Sequence, residues 1–370
     1  MQYRVPFYIA TYPKRLKEIN SDNFNKIVCS AVDNIERHFS KILNNTLTLS
    51  VSNPSSAIHL AMCALDLKRG DKVICPINSY VDVPEAIRHF DSEPIFVDIE
   101  PKSYHMNIEA LRKALKENRS KKLRAIIVSH FGGLEQDIKE IVALAKEYKV
   151  VVIEDFTDSS ILGKKVRFLG DIAIYSLNYK LDNTLKGAMI SFKDEQIYNR
   201  AKLVREHGLV LASRDVSYLY DIKEVGCDYR LDNLSAYLLD GLIEDRVELL
   251  NKKKKIVDIY YKELDSLNHV TLPIKDESHL YSYFIIEIDK NRDAFARELK
   301  LRGVEVGLHY IPLNFTTYYK NKYNLKVFSF PNALNAYQKI LSIPCNGKMS
   351  KDDAEYVCKA IKEVDSIHIW

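Results

Sequence analysis

The chain has 370 residues, 46% hydrophobic and 28% charged, a composition that excludes a disordered chain and supplies enough apolar side chains for a large core. Its 54 Lys and Arg against 50 Asp and Glu leave a formal charge of +4, too weak a balance over this length to point to a nucleic-acid surface. Glycine is scarce, 12 residues where a usual ~7% would give twice that, so glycine-rich phosphate loops are not expected.

The N-terminal MQYRVPFYIATYPKR mixes charge and proline into its apolar residues and shows no secretory h-region. The longest uncharged stretch, from about Asn44 to Leu65, is interrupted by Asn53, Pro54, Ser55, Ser56 and His59, so no membrane span is expected. Cysteines 29, 63, 75, 227, 345 and 358 form no C-x-x-C, and a reduced, cytoplasmic protein without a metal centre is the expectation. At Ser52-Asn53-Pro54-Ser55-Ser56 the chain offers a capping residue, a proline at the first helical position and two hydroxyls in the first turn. That pattern serves plain capping, or an anion site at the positive end of the helix dipole.

From Leu47 to about Leu203, short apolar runs alternate with helical periodicity, the pattern of parallel strands joined by crossover helices. Strands are expected at 72–76, 94–99, 124–130, 150–156, 171–177 and 187–192, apolar enough to be covered on both faces. Ile138, Ile141, Val142 and Ala145, and later Ile197, Ala201 and Val204, have the spacing of amphipathic helices. The strand VVVIED sets Glu154 and Asp155 at its carboxyl end, where open α/β sheets place ligands; such a carboxylate is either a solvated terminus or a partner for a protonated ring nitrogen. YSLNYK puts Ser176 and Lys180 after another strand end, the lysine being a surface charge or a carbonyl-capturing nucleophile.

After Arg230 the sequence turns helical, with Leu234, Leu238, Leu242 and Val247 on one side and a lysine run, Lys252 to Lys255, expected on a solvated face. A smaller strand-helix-strand-helix unit follows, with strands at 280–288 and 304–312, a helix through Phe295 and Leu299, and a last helix from about Lys351. Walker A, G-x-G-x-x-G, H-E-x-x-H and G-x-S-x-G motifs are absent, which removes simple nucleotide-binding, zinc-protease and α/β-hydrolase readings.

Several phrases in a fixed order resemble one family. They are SNPSSAIHLAMCALDLKRGDKVICPINSYVDVPEAI, PIFVDIEPKSYHMNIEAL, RAIIVSHFGG, VVVIEDFTDSSILGKKVRFLGDIAIYSLNYK, VREHGL, GCDYRLDNLSAY, GVEVGLHYIPL and ILSIPCNGKMS. Together they are similar to the sugar aminotransferases of the DegT/DnrJ/EryC1/StrS type, enzymes dependent on pyridoxal 5'-phosphate (PLP). The resemblance implies an α/β fold with a large domain over residues 1–240, built on a mostly parallel sheet covered by helices, and a smaller α+β domain over 241–370.

It also implies that Lys180 holds the cofactor covalently, that Asp155 faces the pyridinium nitrogen, that Ser55, Ser56 and Ser176 hold the phosphate, and that Tyr80 stacks on the ring. Asp158 stands where the family has Gln or His near the phenolic oxygen, and Asp228 where it has an Asn that reaches the phosphate of the other subunit. His309 and Tyr310 match a phrase at the substrate end. One residue is missing between Ser176 and Lys180, and the usual T-G-E-G-G reads Thr184-Leu185-Lys186-Gly187-Ala188, which makes Lys186 a second candidate. The implied activity is transfer of an amino group, from glutamate, to a keto-sugar nucleotide in surface-glycan synthesis by a homodimer. The alternatives are PLP-dependent deoxygenation and a non-catalytic sugar-nucleotide binder that has lost PLP.

Overall fold

The apolar runs form, in the computed structural model, a seven-stranded sheet in the order β1-β7-β6-β5-β4-β2-β3. The strands are β1 (Leu47–Val51), β2 (Lys72–Pro76), β3 (Glu93–Val97), β4 (Leu123–Ser129), β5 (Val151–Phe156), β6 (Ile172–Ser176) and β7 (Ala188–Phe192). The structure describes residues 3–9, 13–158, 168–177, 185–211 and 219–367. The β3-β2-β4-β5-β6 ladder is parallel throughout. β1 adds a strand that the expected set lacks, and β7 runs antiparallel to both β6 and β1, a departure from the purely parallel reading. Side chains alternate through the pleat: Ala125 and Ile127 of β4 join a core with the helix Pro54–Ala64, whereas Ile126 and Val128 join one with the helices Ile108–Glu117 and Lys139–Tyr148. Burial on both faces explains why these strands read as continuous apolar runs.

A short hairpin, β8 (Leu209–Leu211) with β9 (Tyr220–Ile222), stands off the large sheet with exposed apolar side chains, and precedes the helices Asn233–Glu244 and Arg246–Leu264. Of the single apolar side expected here, Leu238 and Leu242 are buried, whereas Leu234 near the start of the first helix and Val247, beyond the break at Asp245, are exposed. In the lysine run, Lys252 and Lys255 are exposed as expected, but Lys253 is buried, and its ammonium donates to the carbonyls of Leu280 and Tyr281 at 3.2 and 3.4 Å.

The second sheet is antiparallel, β10 (Val270–Thr271), β11 (Phe284–Ile288) and β12 (Ile340–Ile343), backed by the helices Arg292–Leu301 and Lys351–Ile367. The expected strand over 304–312 does not form. Val304 bridges to Val5 and Gly307 to Ser342, so neighbouring residues have different partners and no ladder propagates; β12 takes the place beside β11. One face of this sheet packs on its helices through Phe284, Ile286, Phe295 and Ile361. On the other, Tyr283 and Ile285 meet Ile77, Ile99 and Phe131 at the carboxyl edge of the large sheet. The Gly132-Gly133 turn fixes that docking: Leu280 N–H donates to the Gly133 carbonyl at 2.8 Å, and a Cβ on Gly133 would lie 2.9 Å from Ser282 Oγ.

All six cysteines are free, and among the described residues no helix is long and apolar enough to cross a membrane.

Candidate active site

The start of the helix Pro54–Ala64 lies at the mouth of the sheet. Asn53 is extended, and its side-chain oxygen accepts the Ser56 N–H at 2.9 Å, while Pro54 has no N–H to leave unpaired. This organises the first turn at the positive end of the dipole, with Ser55 exposed and Ser56 buried. Ser56 Oγ accepts from Ser52 Oγ at 3.3 Å, and Ser55 Oγ donates to Asp82 Oδ2 at 3.1 Å. Asp82, which opens the helix Asp82–Arg88, is a residue that sequence reasoning missed; an acid in a first helical turn is too ordinary a signal. Burial, then the carboxylates of Asp155 and Asp158, push its pKa up to about 7.

At the carboxyl end of β5, Glu154 and Asp155 point to opposite faces and so do different work. Glu154 is a structural anchor. It accepts from the N–H groups of Leu169 and Gly170, both at 2.5 Å, and from His130 Nε2 at 3.0 Å. His130 Nδ1 accepts the Gln136 N–H at 3.0 Å, which leaves Nε2 as the donating nitrogen, and its ring stacks on Phe156 at 3.9 Å. Asp155 is buried, accepts from Thr157 N–H at 2.9 Å and Ser129 Oγ at 3.3 Å, and forms no ion pair with Lys or Arg among the described residues. Burial raises its pKa.

A tyrosine group closes the side nearest the small sheet. Asp158 accepts from Tyr310 at 2.6 Å and Tyr283 at 3.2 Å, and those two hydroxyls are 2.9 Å apart. Burial, with Asp158 beside them, raises the pKa of both well above the ordinary phenol, which keeps them neutral donors. Tyr8, from the N-terminal segment, is pushed up to about 12 by burial and then by Asp158 and Glu305. Neither Tyr8 nor Tyr283 has a sequence signal of its own. His309 is buried with its ring 3.6 Å from that of Tyr283 and its Nδ1 2.8 Å from Ser342 Oγ. Tyr80, exposed, lies 5.4 Å from the ring of Tyr310.

Ser176 ends β6 opposite Ala188. Lys180 falls outside the described residues, and Lys186 is exposed. Asp228 is exposed and paired with Arg230 at 3.2 Å, which lowers its pKa. The next residue, Tyr229, accepts the Ser52 N–H at 2.9 Å, so the Asp228 segment runs beside the helix start that carries Ser55 and Ser56.

The donor set suits PLP: Asp155 is a buried carboxylate without a basic side-chain ion pair among the described residues, as a protonated ring nitrogen requires, and the helix start offers hydroxyls and N–H groups for a phosphate. A model of the "DegT/DnrJ/EryC1/StrS aminotransferase family" matches residues 12–362. The chain is 27% identical to GDP-perosamine synthase of Escherichia coli O157:H7, over 98% of this chain and 99% of that protein. It is 23% identical to the spore coat polysaccharide biosynthesis protein SpsC of Bacillus subtilis, over 90% and 89%. Among solved structures, a putative sugar aminotransferase of Streptococcus pneumoniae in its PMP-form superposes with a TM-score of 0.85 at 19% identity, covering 97% of this chain and 99% of that one.

Proposed function

Since the chain belongs to the DegT/DnrJ/EryC1/StrS aminotransferase family, we propose that it is a PLP-dependent homodimer that transfers an amino group, from glutamate, to a keto-sugar nucleotide in surface-glycan synthesis. The observation that carries this reading is Asp155, a buried carboxylate at the carboxyl end of β5 that makes no ion pair with Lys or Arg among the described residues. The names of the similar proteins support the substrate class.

Bound PLP supplies an electron sink and a carrier for the amino group. In this reading Asp155 keeps the proton on the ring nitrogen, Ser55, Ser56 and Ser176 hold the phosphate, and Tyr80 covers the ring. Lys180 would hold the cofactor in the resting protein; once displaced by the donor's amino group, its free Nζ would take the proton from the donor's α-carbon and later deliver one to the acceptor's carbon. Asp158, which accepts from the hydroxyls of Tyr283 and Tyr310, would meet the phenolic oxygen. His309 and Tyr310 line the substrate end, and Asp228 reaches the partner subunit's cofactor.

Borohydride reduction of the holoprotein followed by peptide mapping is expected to place the pyridoxyl group on Lys180; label on Lys186 or none at all refutes the assignment. A screen of keto-sugar nucleotides with glutamate, read by mass, identifies the substrate. The Ser55–Asp82 contact, which sets a carboxylate beside the helix start, favours one rival, a sugar-nucleotide binder without PLP, which predicts no cofactor absorption on the protein after PLP is added and the excess removed.

A further inference from the structure

Ser55 has a single hydroxyl proton, and in this structure it goes to Asp82 Oδ2 at 3.1 Å. A phosphate at the helix start needs that same proton. An ionised Asp82 competes with the phosphate for that proton, whereas a protonated Asp82 can donate to Ser55 Oγ and free the hydroxyl to point at the phosphate. We infer that Asp82 is a positioning residue for the cofactor phosphate, its protonated carboxyl turning Ser55 toward the anion and its ionised carboxylate turning Ser55 away. The inference rests on the PLP reading given above.

The surroundings make the neutral form accessible. Asp82 faces Ser55 from the helix Pro54–Ala64, and Asp155 and Asp158 from the end of β5 and just beyond it, so two further carboxylates oppose its ionisation. Among the described residues, the cations on neighbouring elements are engaged elsewhere: Arg88 of its own helix with the Ser92 carbonyl and Glu93 of β3, and Lys72 of β2 with Asn118. His59, on the helix that carries Ser55, lies against Tyr229 and Cys63, and Glu85 on the helix of Asp82 is exposed. An incoming phosphate adds more negative charge and draws a proton onto Asp82. Cofactor uptake is therefore coupled to proton uptake at a carboxyl that already titrates near neutrality.

The test is the dissociation constant of PLP, read by equilibrium dialysis of the apoprotein from pH 6.5 to 8.5, for the parent, Asp82→Asn and Asp82→Ala. Pyridoxal, which lacks the phosphate, is run in parallel and reports whether each variant still forms the site. Parent affinity is expected to weaken by up to about tenfold per pH unit above pH ~7. Both variants are expected to bind PLP about tenfold more tightly than the parent at pH 8 with a flatter profile, while pyridoxal distinguishes none of the three. Identical PLP profiles, or weaker PLP binding in the variants with pyridoxal unchanged, overturn the inference and leave the PLP reading standing. Failure of the parent to take up PLP at any pH overturns both.

Discussion

Single carboxylates decide the character of this site. Asp82 has a folded-state pKa of about 7 against an ordinary 3.8, so its ionisation penalises the folded protein: the penalty begins as the pH rises above the ordinary value and is complete above about 7. The apoprotein of Asp82→Asn should therefore melt at a higher temperature than the parent at pH 8, and the difference should close as the pH is lowered toward 4; calorimetry across that range checks it. For Asp155, replacement by Ala removes the anion proposed to face the ring nitrogen. PLP affinity should fall by about tenfold or more, the equivalent of about 1.5–3 kcal/mol for a charged hydrogen bond, as measured by dialysis at constant pH. Asp228 behaves differently, being exposed and paired with Arg230, and Asp228→Asn should leave the melting temperature of the protein unchanged.

At the scale of elements, the Gly132-Gly133 turn joins the two sheets. Gly133 has φ +89 and no room for a Cβ beside Ser282, so Gly133→Ala should cost about 1–3 kcal/mol in denaturant unfolding. Lys253 is the other fixed point: burial lowers the pKa of its ammonium, which satisfies two carbonyls at the approach to β11. Truncation in Lys253→Ala should destabilise by about 2–3 kcal/mol, read from the urea midpoint. Strands β2 to β7 were legible because burial on both faces writes itself as unbroken apolar runs. Residues 304–312 misled for the opposite reason, since their composition suits a strand but only pairing partners decide where one forms, and Ile340–Ile343 has them. In the site, Asp155 could be named from its place at a strand end. Asp82, Tyr8 and Tyr283 could not, because each acquires its meaning from contacts made far along the chain.

At the scale of the whole molecule, the β8–β9 hairpin presents Leu211, Tyr220 and Ile222 with exposures of 65%, 64% and 59%, apolar surface that a second subunit would cover. It lies in the same stretch as Asp228, the residue proposed to approach the partner's cofactor. In the proposed dimer, the double substitution Leu211→Ser with Ile222→Ser should shift sedimentation toward monomer and weaken PLP retention together. If the variant remains a dimer, the hairpin is not the contact.

The pairing of β1 with β7 also shapes how the chain emerges from the ribosome. Leu47 pairs with Phe192, so β1 has no strand partner until β7 has been made. At about 5–20 residues per second, that interval is on the order of ten seconds. Through it, Leu49 and Val51, with Ile58, Leu60 and Met62 of the following helix, lack the β7 surface that buries them in the finished fold. Closure of β7 between β1 and β6 is thus a late event in synthesis, and nascent chains halted before Ala188 should be cut by protease around β1 and bound by chaperones that recognise apolar segments, whereas chains extended beyond Phe192 should resist both.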